Sequence, residues 1–171
     1  MKIVINDANI LIDLAKLELI PVFAKINFDL YTTDFVIEEL NNEQQKPVSK
    51  IIKSGKLKVI ETEDAIDFQG ITNILENSSG LSFEDCSVWY YSKKISGALL
   101  TGDGRLRKQA TKEGIEVRGI IFVFDELLKQ GLISFTTAIV KIENLSLLNN
   151  RLPKKEIEKR IENWKDEKYV G

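Results

Sequence analysis

The chain contains no histidine, one cysteine and three prolines in 171 residues. Without histidine, nucleophilic catalysis of the Cys-His or Ser-His type is excluded, and no signature of a lysine-based variant is present. Zinc, which usually recruits His or Cys, loses its customary ligands. The single Cys86 rules out an internal disulfide framework and reads as a small buried hydrophobe. No apolar run approaches the ~20 residues that span a bilayer, and the amino terminus opens on a β-like run instead of a signal peptide. The expectation is a cytoplasmic protein with no membrane partner. A large charge of one sign is missing too: the formal net charge is -2. Whole-molecule attraction to nucleic acid is therefore absent, and any such contact needs a local basic patch.

What is present is an ordinary globular composition, 43% apolar and 29% charged, in a chain long enough to bury a core. Short β-like runs alternate with helical stretches. Strands are predicted at Lys2 to Asn6, Phe28 to Thr32, Leu57 to Ile60, Ala98 to Thr101 and Glu116 to Arg118. Helices are predicted between and after them, including Asp34 to Asn41, Pro47 to Ser54, Phe83 to Lys94 and Gly104 to Glu113, with Gly114 and Gly131 placed as C′ residues. This alternation predicts an α/β, three-layer fold with a central, mostly parallel sheet of four to five strands flanked by helices. A main domain is expected over residues 1–150. Residues 151–171 read as a charged helical extension, whose Ile157, Ile161 and Trp164 form a narrow i, i+4, i+7 stripe that must dock on something.

Four carboxylates stand out against that frame. Asp7 ends the run Lys2-Ile3-Val4-Ile5-Asn6, and Asp103 ends Gly97-Ala98-Leu99-Leu100-Thr101-Gly102. Ligands of open α/β sheets bind outside the carboxyl ends of the strands, where both acids fall. Glu39 and Asp85 lie on helical segments; helical phase puts Glu39 beside the stripe of Val36, Ile37 and Leu40, and turns Glu38 to water. Gathered carboxylates repel and raise one another's pKa unless a divalent cation is present. Mg²⁺ or Mn²⁺ suits an all-oxygen site. Each acid also has a plain structural use. Asp7 and Asp103 fit as helix N-caps, and Ser82 with Asp85 has the spacing of a capping box. Glu84 remains open beside Asp85, because that helix is apolar nearly all round. Asn9 either supports Asp7 or is a first-turn polar residue. Arg105, Arg107 and Lys108 directly follow Asp103 and are candidates to hold a phosphodiester, with Lys93 and Lys94 weaker ones. Trp89, Tyr90 and Tyr91 read as core and rim.

Taken in order, Ile3-Val4-Ile5-Asn6-Asp7-Ala8-Asn9, Thr33-Asp34-Phe35-Val36-Ile37-Glu38-Glu39-Leu40, Leu81-Ser82-Phe83-Glu84-Asp85 and Leu99-Leu100-Thr101-Gly102-Asp103 resemble the PIN domain family. The likeness extends from Met1 to about Leu132. It implies Asp7, Glu39, Asp85 and Asp103 as catalytic, metal-binding acids, with Asn9 and Thr101 supporting them. It further implies a Mg²⁺- or Mn²⁺-dependent endoribonuclease acting on single-stranded or structured RNA, in many small members a toxin held by a cognate antitoxin, and commonly a homodimer. Two other readings compete. One is a non-catalytic interaction module on the same fold. The other is a haloacid-dehalogenase-like phosphatase, which wants a second Asp two residues after Asp7, where this chain has Asn9.

Overall fold

The computed structural model describes residues 2–169; Met1, Val170 and Gly171 lie outside the described residues. Its elements run β1 (Lys2–Asn6), α1 (Ala8–Lys16), α2 (Ile20–Phe23), β2 (Phe28–Thr33), α3 (Asp34–Glu39), α4 (Asn42–Lys53), β3 (Leu57–Ile60) and α5 (Ala65–Asn77). They continue with α6 (Phe83–Lys94), β4 (Ala98–Leu100), α7 (Gly104–Lys112), β5 (Val117–Arg118), α8 (Ile120–Lys129), α9 (Phe135–Leu148) and α10 (Lys154–Lys165). All strand pairs are parallel, in the order β3-β2-β1-β4-β5. Parallel neighbours need helical crossovers, which cover the sheet and explain why Val4, Ile5, Leu99 and Leu100 at its centre are wholly buried. The predicted α/β architecture is the one observed.

Topology also places the site. From β1 the chain steps outward to β2 and β3, then returns to the far side of β1 for β4 and β5. The order reverses between β1 and β4, and a crevice forms outside their carboxyl ends. The register pairs Asn6 with Leu100, and Asp7 N donates to Leu100 O at 3.0 Å, so the residues following the two strands start side by side.

Most helix ends fall within two residues of expectation, and Gly114 (φ +78) and Gly131 (φ +65) take the left-handed conformation that favours glycine after a helix. The exception is α4, which begins at Asn42 instead of Pro47. Asn41 and Gln44 form a reciprocal capping box that starts the helix a turn earlier, and Pro47 sits inside it without an N–H to donate. Next along, Gln45 Nε2 donates to Ile37 O and Leu40 O, tying down the turn that follows Glu39.

The carboxy-terminal helix packs back on its own chain. Ile157 and Trp164 are buried, the Trp164 ring stacks on Phe124 with centroids 6.0 Å apart, and α10 lies along α9. Arg160 pairs with the buried Asp125 at 2.9 Å. A helix this charged is marginal alone in water, so these anchors hold it.

Candidate functional site

Asp7 is buried at the end of β1 and caps α1, Oδ1 accepting from Ala8 N at 2.8 Å. Its Oδ2 accepts from Thr101 Oγ1 at 2.6 Å and from Asn9 Nδ2. Thr101 Oγ1 in turn accepts from Asp103 N at 3.0 Å, so one hydroxyl links the first acid to the backbone of the last. Asn9 Oδ1 accepts from Gly102 N at 2.6 Å, and a Cβ on Gly102 would stand 3.1 Å from that same oxygen. Glycine is what lets the β4 end approach Asn9 so closely.

Asp103 caps α7 with Oδ1, which accepts from Arg105 N and Leu106 N. Asp85 closes the capping box of α6, Oδ2 accepting from Ser82 N at 2.9 Å. Among the described residues Asp103 Oδ2 and Asp85 Oδ1 have no hydrogen-bond partner. Capping and a place in the cluster are thus not rivals, because a cap occupies one oxygen of two. Glu39 ends α3, whose start is pinned to α6 by Thr33 Oγ1 and Ser87 Oγ at 2.8 Å. That bond brings Glu39 toward Glu84 and Asp85.

The electrostatics show that the acids sense one another. Burial pushes the Asp7 carboxyl up to about 6, with Asp85 adding to the rise, although the hydroxyl of Thr101 opposes it. Glu39 is raised to about 7 by desolvation of its carboxyl and then by Glu84, Asp7 and Asp85, even though the residue as a whole is exposed. Asp85 is raised by burial, then by Asp103 and Glu84, against the hydrogen bonds from Ser82. No lysine or arginine is among the causes acting on these three acids. At Glu38–Glu39 both residues are exposed; Glu39 is the one raised, after burial, by Glu84, Asp7 and Asp85, and Glu38 is not among the causes. At Glu84–Asp85 both residues act on Glu39. Cys86 behind them is buried, its thiol pushed up to about 12 by burial and the neighbouring acids, and is chemically inert.

Among the described residues no three His, Cys, Asp or Glu side chains converge closely enough to hold a metal ion unaided. The donors that are present still fit a hard divalent cation. All are carboxylate oxygens, and Mg²⁺ commonly takes one or two carboxylates and fills its remaining positions with water.

The basic residues separate. Arg105 and Lys108 are exposed, and Arg105 lies over Gly80, in the turn that leads to Ser82 and Asp85. Arg107, expected among the free contacts for RNA, is half-buried. Its Nη2 donates to Thr101 O at 3.0 Å and its Nη1 to Val117 O at 3.4 Å, because the two-residue β5 leaves carbonyls at the sheet edge in need of donors. Lys93 and Lys94 are held by Glu113 and Asp67. Trp89 and Tyr91 are core. Other aromatics sit on the helices that carry Glu39 and Asp85: Phe35 packs edge-on against Phe83 (4.8 Å), and Phe83 against Phe68 (5.2 Å), which is 51% exposed. Phe35 precedes Glu39 by one helical turn and Phe83 precedes Asp85 by two residues, a signal present in the sequence; Phe68 joins them only through the packing of α5 on α6.

No curated protein matches the chain. A chain of the crystal structure of VapBC2 from Rickettsia felis, bound to a DNA fragment from their promoter, is similar at 15% identity and a TM-score of 0.47, over 68% of this chain and 98% of that one. The family model of the PIN domain matches residues 3–166, a span that contains all the acids above and runs into α10. The chain belongs to the PIN domain family.

Proposed function

We propose that this protein is a metal-dependent endoribonuclease that hydrolyses phosphodiester bonds of single-stranded RNA, with Asp7, Glu39, Asp85 and Asp103 as the residues that would hold Mg²⁺ or Mn²⁺. The observation that carries the reading is the gathering of these acids near the carboxyl ends of β1 and β4, where Asp7, Glu39 and Asp85 are raised first by burial and then by neighbouring acids, with no lysine or arginine among the causes. Such an arrangement opposes folding by itself and becomes favourable around a cation. A divalent ion bound there would supply Lewis acidity, lowering the pKa of water and stabilising charge on phosphate oxygens. The chain's own contribution is positional. Thr101 and Asn9 orient the Asp7 carboxylate, and the caps of α6 and α7 fix Asp85 and Asp103 while leaving each an oxygen without a partner. Phe68, together with Phe83 and Phe35 on the helices that carry Asp85 and Glu39, would offer an aromatic surface on which unpaired bases stack. The expected products carry 5′ phosphate and 3′ hydroxyl. The family resemblance adds a cognate antitoxin, a homodimer and a cytoplasmic setting to the proposal.

A second reading has one observation in its favour: Asp7, Asp85 and Asp103 all cap helices, as they would in a non-catalytic interaction module. The phosphatase reading has none, because Asn9 holds Asp7 where a second carboxylate is needed.

Thermal melts separate the first two. Raised folded-state values of about 6 for Asp7 and about 7 for Glu39 mean that their contribution is fully present below the unfolded values near 3.8 and 4.5. It is lost as pH rises through the folded values. In EDTA the protein should therefore lose stability between about pH 4 and pH 7, Asp7 alone accounting for something on the order of 3 kcal/mol. Mn²⁺ at a hundredfold excess over its Kd should restore about 2.7 kcal/mol at pH 8. A melting temperature at pH 8 unmoved by Mn²⁺ favours the non-catalytic module.

A further inference from the structure

Thr101 has a second neighbour besides Asp7. Its carbonyl accepts from Arg107, and beyond that bond opens a cleft of about 990 Å³ between α1, β5, the start of α8 and the turn that leads into α10. Asn9, Thr101 and Gly102 therefore border both the acid cluster and this cleft.

The cleft carries an excess of cations, although Asp13, Asp125 and Glu156 also line it. Arg107 and Arg118 both line it, and the positive charge of Arg118 bears on the half-buried Arg107, whose guanidinium is held below its ordinary range first by burial. Glu156 on α10 faces Arg107 with the opposite sign, and Glu116 accepts from Arg118 Nε at 2.9 Å. Arg107 uses two of its five N–H groups on carbonyls, which leaves the others for a ligand. Gly119 makes room for it: a Cβ there would stand 2.9 Å from Arg107 Nη2. Gly119 also opens α8 without a side-chain cap, so the first-turn N–H groups of that helix add partial positive charge to the same wall. A half-buried guanidinium with N–H groups to spare and an exposed one on the same cleft suit an anion, as gathered carboxylates suit a cation. With a net charge of -2 on the whole chain, a polyanion has to be drawn by such a local feature.

We propose that this cleft seats a phosphodiester of the RNA strand flanking the scissile one, with Arg107 and Arg118 as its cationic floor and Glu156 as a competing charge on its wall. This rests on the ribonuclease reading above and gives the substrate strand a direction of travel, from the acid cluster past Thr101 toward α10. It also gives the packed carboxy-terminal helix a part in substrate binding.

Fluorescence anisotropy of a short fluorescein-labelled oligouridylate, titrated with the full chain in Ca²⁺ across a salt series, tests it. Arg118 is exposed and outside the acid cluster, so Arg118→Ala should fold normally, weaken binding about tenfold and lower the salt slope by about one. Glu156→Gln should do the reverse and tighten binding severalfold. Parent-like affinities for both variants, or no binding by any form, overturn the proposal. Opposite shifts in a protein that cuts no RNA support the cleft as a strand site while removing the ribonuclease reading. Metal-dependent cutting with both affinities unchanged removes the cleft and leaves that reading in place.

Discussion

Glu39→Gln lowers metal-dependent RNA cleavage at least about a hundredfold, because even residues that merely support metal ligands commonly cost 10- to 100-fold when lost. Glu38→Gln, one residue earlier, leaves kcat/KM within a factor of a few. The contrast follows from α3: its last residue, Glu39, is the one on which Glu84, Asp7 and Asp85 act, whereas Glu38 is not among the groups acting on Asp7, Glu39 or Asp85. The same Glu39→Gln change should raise the melting temperature in EDTA at pH 8, since it removes a charge that its neighbours oppose. Equal losses for Glu38→Gln and Glu39→Gln would mean that α3 presents a different edge to the site.

Trp164→Ala destabilises the fold by about 3 to 5 kcal/mol, the range for emptying a buried tryptophan site. The side chain is 1% exposed and stacked on Phe124. Its Nε1 is buried without a hydrogen-bond partner, so Trp164→Phe removes an unsatisfied donor and should recover most of the loss. Urea denaturation with near-parallel slopes reads both variants. Removing everything after Asn150 takes away Ile157, Arg160 and Trp164 together and strands Asp125 without its partner. Should Trp164→Ala melt like the parent, α10 is a loosely held appendage and the wall assigned to the cleft does not exist.

The acids at strand ends were legible early, and there is a physical reason. A carboxylate following an apolar run can be placed by the run alone, as Asp7 and Asp103 were, because a buried parallel strand is marked by its own residues. Strand order is a property of crossovers, so the reversal between β1 and β4 that sets those two acids side by side shows only in the folded chain. The period of α3 favoured Glu39 over Glu38 as an expectation, whereas α6 is buried nearly all round and left Glu84 and Asp85 undivided, in keeping with both acting on Glu39. Pro47 misplaced the start of α4, since proline is common in a first turn and the capping box at Asn41 and Gln44 competes with that signal. Arg107 looked like any cation on a surface helix. Its commitment to Thr101 and Val117 depends on a two-residue strand and a glycine at position 119, neither of which marks its partner in sequence. The Phe35–Phe83–Phe68 rim was half visible, in the spacing of two phenylalanines from two acids.

The most direct test of the central claim is the fate of an end-labelled RNA oligonucleotide incubated with the purified chain in Mn²⁺ and, in parallel, in EDTA. The account predicts internal cutting of the unpaired strand in Mn²⁺, with 5′ phosphate on the downstream fragment, protection of the same strand when annealed to its complement, and no cutting in EDTA or by Asp103→Asn, which keeps its helix cap. An intact strand in Mn²⁺, or cutting that persists in EDTA or in Asp103→Asn, would contradict it.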